Sequence, residues 1–140
     1  MSVDKSLLQT LDIFEEFEDE ELDEIAPLMQ FWKVMEGETI MKMGEPAQTF
    51  FIVLKGNYLV YFKNGRAFTL HEKGSIMGWS TVVTPFTYKG TAIALTDGEV
   101  LAMRGQDFNS ILQSNASLTE KIMYKINEVA DERIKYYKEP

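Results

Sequence analysis

Closely spaced glycines constrain the fold of residues 31–103 more than any other feature of this 140-residue sequence. They lie between short runs rich in Val, Ile, Phe, Tyr and Thr, at positions 37, 44, 56, 65, 74, 78, 90 and 98. Such runs favour β-strands, and the glycines between them favour turns. The pattern predicts a small barrel or sandwich of short strands.

The pair Asn64-Gly65 gives the clearest local prediction. It separates a strand-like run at 58–63 from another at 66–70. Asn-Gly is typical of a type I′ turn, in which both central residues have positive φ. We therefore predict a β-hairpin at this point.

Apolar residues at helical spacing flank the β-rich region. Those between positions 7 and 29 predict short helices within residues 1–30. In residues 107–138 we predict a short helix capped by Asp107 and ended by a left-handed Asn115. A longer helix is predicted to open at Ser117 in a capping box with Glu120.

The longer helix carries an apolar stripe that needs a partner. It consists of Leu118, Ile122, Ile126, Val129 and Ile134 with Tyr136 or Tyr137. This stripe covers either the protein's own barrel or a second copy of the chain. We favour a homodimer through this helix, although the stripe is too short to separate the two cases.

Composition removes several classes of function. A formal charge of −8 argues against nucleic acid as a partner, because phosphate binding depends on lysine and arginine. The lack of a long apolar run or a basic leader predicts a cytoplasmic protein without membrane association. The acidic segment 15–24 is interpreted as a solvated helix face, with a docking site for a basic partner as the alternative.

Enzymatic and metal chemistry lack their usual residues. The sequence has no cysteine, and its one histidine is His71. A cupin-type metal centre needs several histidines, and a serine or threonine nucleophile needs a general base. Haem could take axial ligands from His71 and a methionine, but methionine in a core usually serves packing. We expect no enzyme activity, metal or cofactor.

Residues 36–61 carry a family resemblance. Their sequence, EGETIMKMGEPAQTFFIVLKGNYLVY, resembles the opening strands of cyclic-nucleotide-binding domains, with the pattern G-E-x-I, G-E-x-A and F-x-I-x-x-G-x-x-x-V. The resemblance implies a mainly β fold in one domain over residues 1–140. Its parts are N-terminal helices at 1–30, a jelly-roll (double-stranded β-helix) barrel at 31–104, as in cupins, and C-terminal helices at 107–138.

Regulators of the catabolite activator and FNR superfamily add a helix-turn-helix domain after the long helix. The sequence ends at Pro140, so we expect no DNA-reading element.

The family's ligand cassette aligns without a gap to residues 77–82 and 87–94, which we call the cassette. There MGWSTV and TYKGTAIA resemble F-G-E-L-A-L and P-R-A-A-T-V-x-A, with matches at Gly78, Thr91 and Ala94. The resemblance implies a glutamate for the ribose hydroxyl, an arginine for the cyclic phosphate and backbone N–H groups around that phosphate. Trp79 and Tyr88 replace the glutamate and the arginine.

These replacements define the candidate site. A phenol does not neutralise a phosphate and an indole accepts no hydroxyl hydrogen, so we expect no tight binding of cAMP or cGMP. If position 88 faces the pocket on a strand, Lys89 faces away from it. The candidate ligand-binding residues are Gly78, Trp79, Ser80, Thr81, Tyr88, Lys89, Gly90 and Thr91.

Two interpretations of the cassette remain open. Trp79 and Tyr88 either line a pocket for a small, partly aromatic ligand or pack against each other and close the barrel. The first makes the chain a regulatory sensor of an unidentified ligand, in which binding repositions the long helix. The second makes it a ligand-free module for protein interaction or dimerisation. A true cyclic nucleotide receptor is the third alternative.

Overall fold

Eight strands and four α-helices make up the fold in the computed structural model, which describes residues 3–83 and 85–138. Outside the described residues lie 1–2 of the predicted N-terminal segment, residue 84 of the predicted barrel, and 139–140, the last two residues of the predicted domain. The helices are α1 Lys5–Leu8, α2 Asp19–Ile25, α3 Gly105–Ser114 and α4 Ala116–Tyr137. The strands are β1 Met29–Val34, β2 Thr39–Met41, β3 Thr49–Lys55, β4 Tyr58–Phe62, β5 Ala67–Leu70, β6 Ile76–Met77, β7 Gly90–Ala94 and β8 Gly98–Arg104.

The strands form two four-stranded antiparallel sheets. One has the order β1-β8-β3-β6 and the other β2-β7-β4-β5. Together with the helices at both ends, they give the jelly-roll architecture predicted from the sequence. Strands β1 and β2 are edges of the two sheets, and so are β6 and β5.

The predicted hairpin is confirmed, but its turn type is wrong. Tyr58 pairs with Leu70 and Tyr61 with Ala67 across β4 and β5. Gly65 has φ 86°, whereas Asn64 is not among the described residues with positive φ. Asn64 instead accepts a hydrogen bond from the Arg66 N–H at 3.0 Å. This local bond favours a turn in which glycine alone is left-handed.

The first sheet separates two apolar cores. Phe50 and Ile52 of β3 point into a core covered by the helices, while Phe51 and Val53 point between the two sheets. All four side chains are at most 1% exposed. Since successive strand residues face opposite sides, a sheet covered on both faces needs a continuous apolar run.

The predicted caps of the C-terminal helices are wrong. α3 begins at Gly105, so Asp107 lies in its first turn, where its carboxylate is 3.5 Å from Arg104 Nε. Asn115 is extended, with φ −139°, and not left-handed. Its side chain accepts from the Leu118 N–H at 3.0 Å and so caps α4, which begins before Ser117.

Most of the apolar stripe of α4 is covered within the chain. Leu118, Ile122 and Ile126 are fully buried in the helix-covered core. Further along, Arg133 is the buried residue, and Ile134 is only partly buried. A second copy is therefore not needed to cover the first half of the stripe.

Two ion pairs join α4 to the acidic N-terminal segment. Lys121 Nζ lies 2.6 Å from Glu21 Oε1, and Lys125 Nζ lies 2.7 Å from Glu15 Oε1. Burial alone would raise the pKa of Glu21, but hydrogen bonds from the Glu18 N–H and Lys121 outweigh it and leave that pKa below its usual value. Part of the acidic segment is thus an internal docking surface for α4.

Neither a membrane-spanning helix nor a metal-binding cluster is found in the described ranges. Within 3–83 and 85–138, no helix is long and apolar enough to cross a membrane. No group of three His, Asp or Glu side chains in that part of the chain could hold a metal ion.

Replacing Gly98 by alanine tests a close backbone approach between β8 and β3, two strands of the same sheet. A Cβ at this position would collide with the Lys55 carbonyl oxygen and the Tyr58 hydroxyl. We expect Gly98→Ala to lower the free energy of unfolding in urea by about 2 kcal/mol. Gly65→Ala is the control, since its Cβ would meet nothing within 4 Å and would add only the strain of a positive φ. An equal or smaller loss in Gly98→Ala would contradict the steric account.

Glu21→Gln tests the buried ion pair through pH. The lowered pKa means that the carboxylate stabilises the fold above its ordinary value of 4.5 and that this contribution fades as pH falls through the folded-state pKa. We expect the variant to be less stable by about 1–2 kcal/mol at pH 7. The difference from the parent should shrink below pH 4.5 in urea titrations. A difference independent of pH, or one matched by exposed Glu20→Gln, would refute this role.

Candidate functional site

The first part of the cassette forms a tight buried turn. Gly78 has φ 78° and precedes the 3₁₀ turn Trp79–Thr81. A Cβ at Gly78 would lie 2.8 Å from the Thr49 carbonyl oxygen, so only glycine fits here. Ser80 and Thr81 are 3% and 2% exposed, and the Thr81 hydroxyl donates to the Gly78 carbonyl at 2.8 Å. The turn is therefore closed by its own side chains.

Trp79 points from this turn toward the C-terminal half of α4. Its side chain is 3% exposed and its ring centre lies 6.2 Å from that of Tyr137. The guanidinium carbon of Arg133 lies 5.3 Å from the Trp79 ring centre. The residue at the family's ribose-glutamate position thus contacts the protein's own last helix.

Arg133 is the main site residue that the sequence analysis missed. It is only 8% exposed, and its guanidinium lies between the rings of Trp79 and Phe68, 5.3 and 5.1 Å from their centres. Its Nη1 donates to the Ile76 carbonyl at 2.6 Å. In the described part of the chain, no carboxylate oxygen lies within 4 Å of it. Burial lowers the pKa of Arg133 to about 10, so the side chain stays charged at neutral pH.

Helical periodicity contains a signal for Arg133. It lies seven residues after Ile126 and so belongs to the buried face of α4, whereas the predicted stripe passed from Val129 to Ile134. Arginine is rarely buried, so an apolar neighbour such as Ile134 is the usual expectation for a buried helix position.

An aromatic cluster surrounds this arginine. We use that name for Phe62, Phe68, Trp79, Tyr136 and Tyr137, whose neighbouring ring centres lie 4.8–6.4 Å apart. Gly90 makes room for it, since a Cβ there would lie 2.9 Å from the Phe62 ring. The cluster joins β4, β5, the cassette and α4 into one packed unit.

Side chains of the β4–β5 hairpin also hold the end of α4 by donating hydrogen bonds to the backbone carbonyls of the helix. Asn64 Nδ2 donates to the Tyr136 carbonyl at 2.9 Å, and Arg66 Nη1 donates to the Lys135 carbonyl at 2.6 Å. The last carbonyls of a helix lack partners within the helix. These side chains supply them and fix the position of the final turn.

Tyr88 has a different environment from Trp79. Its hydroxyl donates to the Thr49 carbonyl at 2.7 Å and accepts from the Thr49 N–H at 3.0 Å. The side chain is 8% exposed and lies in the core between the sheets, and burial raises its pKa. Among the described ring pairs, Trp79 contacts Tyr137 and not Tyr88. Both rings are buried, as the closed interpretation expects, but they do not stack on each other.

Lys89 precedes β7, which begins only at Gly90. The prediction that Lys89 and Tyr88 point to opposite faces of a strand is therefore wrong. Lys89 is partly buried, and its Nζ lies 5.4 Å from the ring centre of Tyr137. Thr91, 5% exposed, accepts a hydrogen bond from the Met43 N–H at 3.1 Å. Trp79 and Lys89 therefore lie against Tyr137, whereas Tyr88 and Thr91 bond to the backbone of other segments.

An open groove lies on the Tyr88 side, between the edge strands β1 and β2. This edge groove has a volume of about 570 Å³ and is lined in part by Trp32, Met41, Phe51, Tyr88 and Thr91. Trp32 is 39% exposed and packs edge-on against Phe51. The groove combines aromatic walls with hydroxyl groups and with the charged side chains of Lys42 and Glu45.

Comparison with known families agrees with this architecture. The family model of the cyclic nucleotide-binding domain matches residues 31–115. The chain belongs to the cyclic nucleotide-binding domain family. The resemblance inferred from residues 36–61 is confirmed.

Individual relatives of this family are distant. An uncharacterized NTE family protein of Mycobacterium tuberculosis (strain ATCC 25618 / H37Rv) is 23% identical over 119 residues, or 85% of this chain and 20% of the relative. The chain thus spans about a fifth of the length of that relative.

Solved structures of the family show the same fold. A Geobacter metallireducens GS-15 protein assigned to cyclic nucleotide binding has a TM-score of 0.84 at 20% identity, with 94% of this chain and 98% of that chain covered. The sensor domain of the transcriptional regulator DNR from Pseudomonas aeruginosa has a TM-score of 0.74 at 19% identity, with 93% and 95% covered. Regulatory domains are therefore among the structural neighbours.

Tyr88→Phe tests whether the residue at the family's arginine position has become a structural one. The variant keeps the ring but removes the hydroxyl, which leaves the N–H and carbonyl of Thr49 without this partner. We expect a loss of about 2 kcal/mol in the free energy of unfolding, measured in urea. The matched control is the half-buried Tyr61→Phe, for which we expect less than about 0.5 kcal/mol. Equal effects at the two positions would contradict the assignment.

Proposed function

We propose that this chain is a non-catalytic regulatory domain in which the C-terminal helix covers the Trp79 side of the cassette, a state that we call the closed domain, and that it does not bind cAMP or cGMP tightly. The observation that carries the proposal is the position of Arg133. Its guanidinium fills the space between Trp79 of the cassette and Phe68 of β5, with a 2.6 Å hydrogen bond to Ile76.

Chemistry at the two replaced positions supports the proposal. A cyclic phosphate needs a cation, and Tyr88 is committed to the backbone of Thr49. A ribose hydroxyl needs an acceptor, and the Trp79 indole offers only a donor. Leaving the phosphate charge unpaired in a buried site costs several kcal/mol, or a few orders of magnitude in affinity.

The position of Arg133 also favours an alternative function, that of a true cyclic nucleotide receptor. It places a charged guanidinium beside the cassette, and a bound phosphate would give it the counter-ion that it lacks. Binding in that mode requires Arg133 to leave the Ile76 carbonyl and one or both rings. We therefore rank it below the closed domain.

The edge groove supports a sensor for a different ligand. Its aromatic walls suit a small, flat, partly apolar molecule that hydrogen-bonds to hydroxyl groups such as that of Thr91. In this alternative the ligand lies on the Tyr88 side and leaves the aromatic cluster in place.

The closed domain predicts no thermal stabilisation by cyclic nucleotides. At about 1 mM, a ligand with a Kd of about 10 µM would add about 2.7 kcal/mol, which is easily measured in a thermal shift assay. We expect no shift in Tm with cAMP or cGMP. Saturable micromolar binding would overturn the proposal, and its loss in Arg133→Met would assign the binding to that guanidinium.

A gain-of-function variant provides the complementary measurement. Trp79→Glu, Tyr88→Arg and Arg133→Ala together restore the carboxylate, the cation and the space. We expect the triple variant to gain cAMP affinity over the parent in isothermal titration calorimetry, provided that circular dichroism shows a folded chain. A folded triple variant that still does not bind cAMP would show that residues other than these three also block the site.

A further inference from the structure

A second groove lies away from the cassette, between the first half of α4 and the segment that precedes α2. It has a volume of about 560 Å³. We call it the acidic groove and use six of its lining residues: Glu15, Glu16, Phe17, Glu120, Tyr124 and Glu128. No step in the proposed function uses these residues.

The lysines of this groove are already neutralised. Lys121 and Lys125 line it, but the ammonium group of each donates a hydrogen bond to a carboxylate of the same chain. Lys121 bonds to Glu21 at 2.6 Å, and Lys125 bonds to Glu15 at 2.7 Å. Hydrogen bonds to these carboxylates raise the pKa of both lysines. Their positive charge is therefore balanced within the protein.

Three carboxylates of the groove remain unpaired. Glu16, Glu120 and Glu128 are exposed, and in the described ranges no Lys, Arg or His nitrogen lies within 4 Å of them. A net negative field thus covers the groove, in a chain whose total charge is −8.

An exposed aromatic side chain lies in the middle of these charges. Tyr124 is 67% exposed and falls one helical turn from both Glu120 and Glu128 on α4. Partly buried Phe17 lines the groove on the opposite side and contacts the Phe14 ring edge-on, with centres 5.2 Å apart. The apolar surfaces of Phe17 and Tyr124 are thus surrounded by carboxylate side chains.

We propose that the acidic groove binds a basic amphipathic segment of a partner protein. An apolar side chain of that segment contacts Phe17 and Tyr124, while its lysines or arginines face Glu16, Glu120 and Glu128. Charge complementarity selects this occupant. Nucleic acid and anionic lipid surfaces are repelled by the same carboxylates, and a second copy of this chain carries the same negative charge.

The proposal can be tested with a defined probe. A fluorescein-labelled peptide of about 16 residues, made only of Lys and Leu at amphipathic helical spacing, is titrated with the full chain by fluorescence anisotropy. We expect saturable binding. Combined Glu16→Gln, Glu120→Gln and Glu128→Gln should weaken it about tenfold, equivalent to about 1.4 kcal/mol. Tyr124→Ala should weaken it without any change in charge.

A matched control separates this site from general attraction to an acidic protein. Glu36→Gln, Glu38→Gln and Glu45→Gln remove the same three charges from exposed positions of the barrel that do not line the acidic groove. We expect this triple variant to bind within about twofold of the parent, because salt screens exposed charges that make no direct contact with the peptide. Equal weakening by both triple variants, no effect of Tyr124→Ala, or absence of saturable binding would each overturn the proposal. The result does not depend on whether the cassette binds a nucleotide.

Discussion

The contact between the last turns of α4 and the β4–β5 hairpin determines the state of the candidate site. Arg133 and Tyr137 reach the cassette only because the helix runs along the barrel, and the donors of Asn64 and Arg66 fix where it ends. Burying a guanidinium without a carboxylate partner is costly, and two aromatic faces and one carbonyl offset only part of that cost. The packing of the rest of α4 on the N-terminal helices holds this contact in place.

In the proposed function, the predicted cassette resembles the family in its glycine turn and differs from it in its chemistry. Gly78 has the left-handed conformation that the turn requires, while the side chains around it are apolar or bonded to the backbone. Backbone geometry and ligand chemistry are separable, because the first depends on sterics and the second on a few charged groups. A fold that matches known regulators consequently leaves the ligand undetermined.

The sequence predicted the fold better than the site. Glycine spacing, the Asn64-Gly65 hairpin and the apolar stripe of α4 depend on local periodicity, which a single sequence displays. The roles of Arg133 and Tyr88 depend on partners far along the chain, such as Ile76 and Thr49, which periodicity does not reveal. The wrong caps at Asp107 and Asn115 have a local cause, since Asn115 serves the following helix and not the preceding one.

The hairpin donors that reach the end of α4 also have a consequence for synthesis of the chain. Asn64 bonds to the carbonyl of a residue 72 positions later, so the barrel leaves the ribosome well before the helix end that completes its aromatic cluster. During translation, Trp79 and Phe68 are without Arg133 until the final turn emerges. The aromatic cluster is consequently completed late in cotranslational folding, after the strands that supply Phe62 and Phe68.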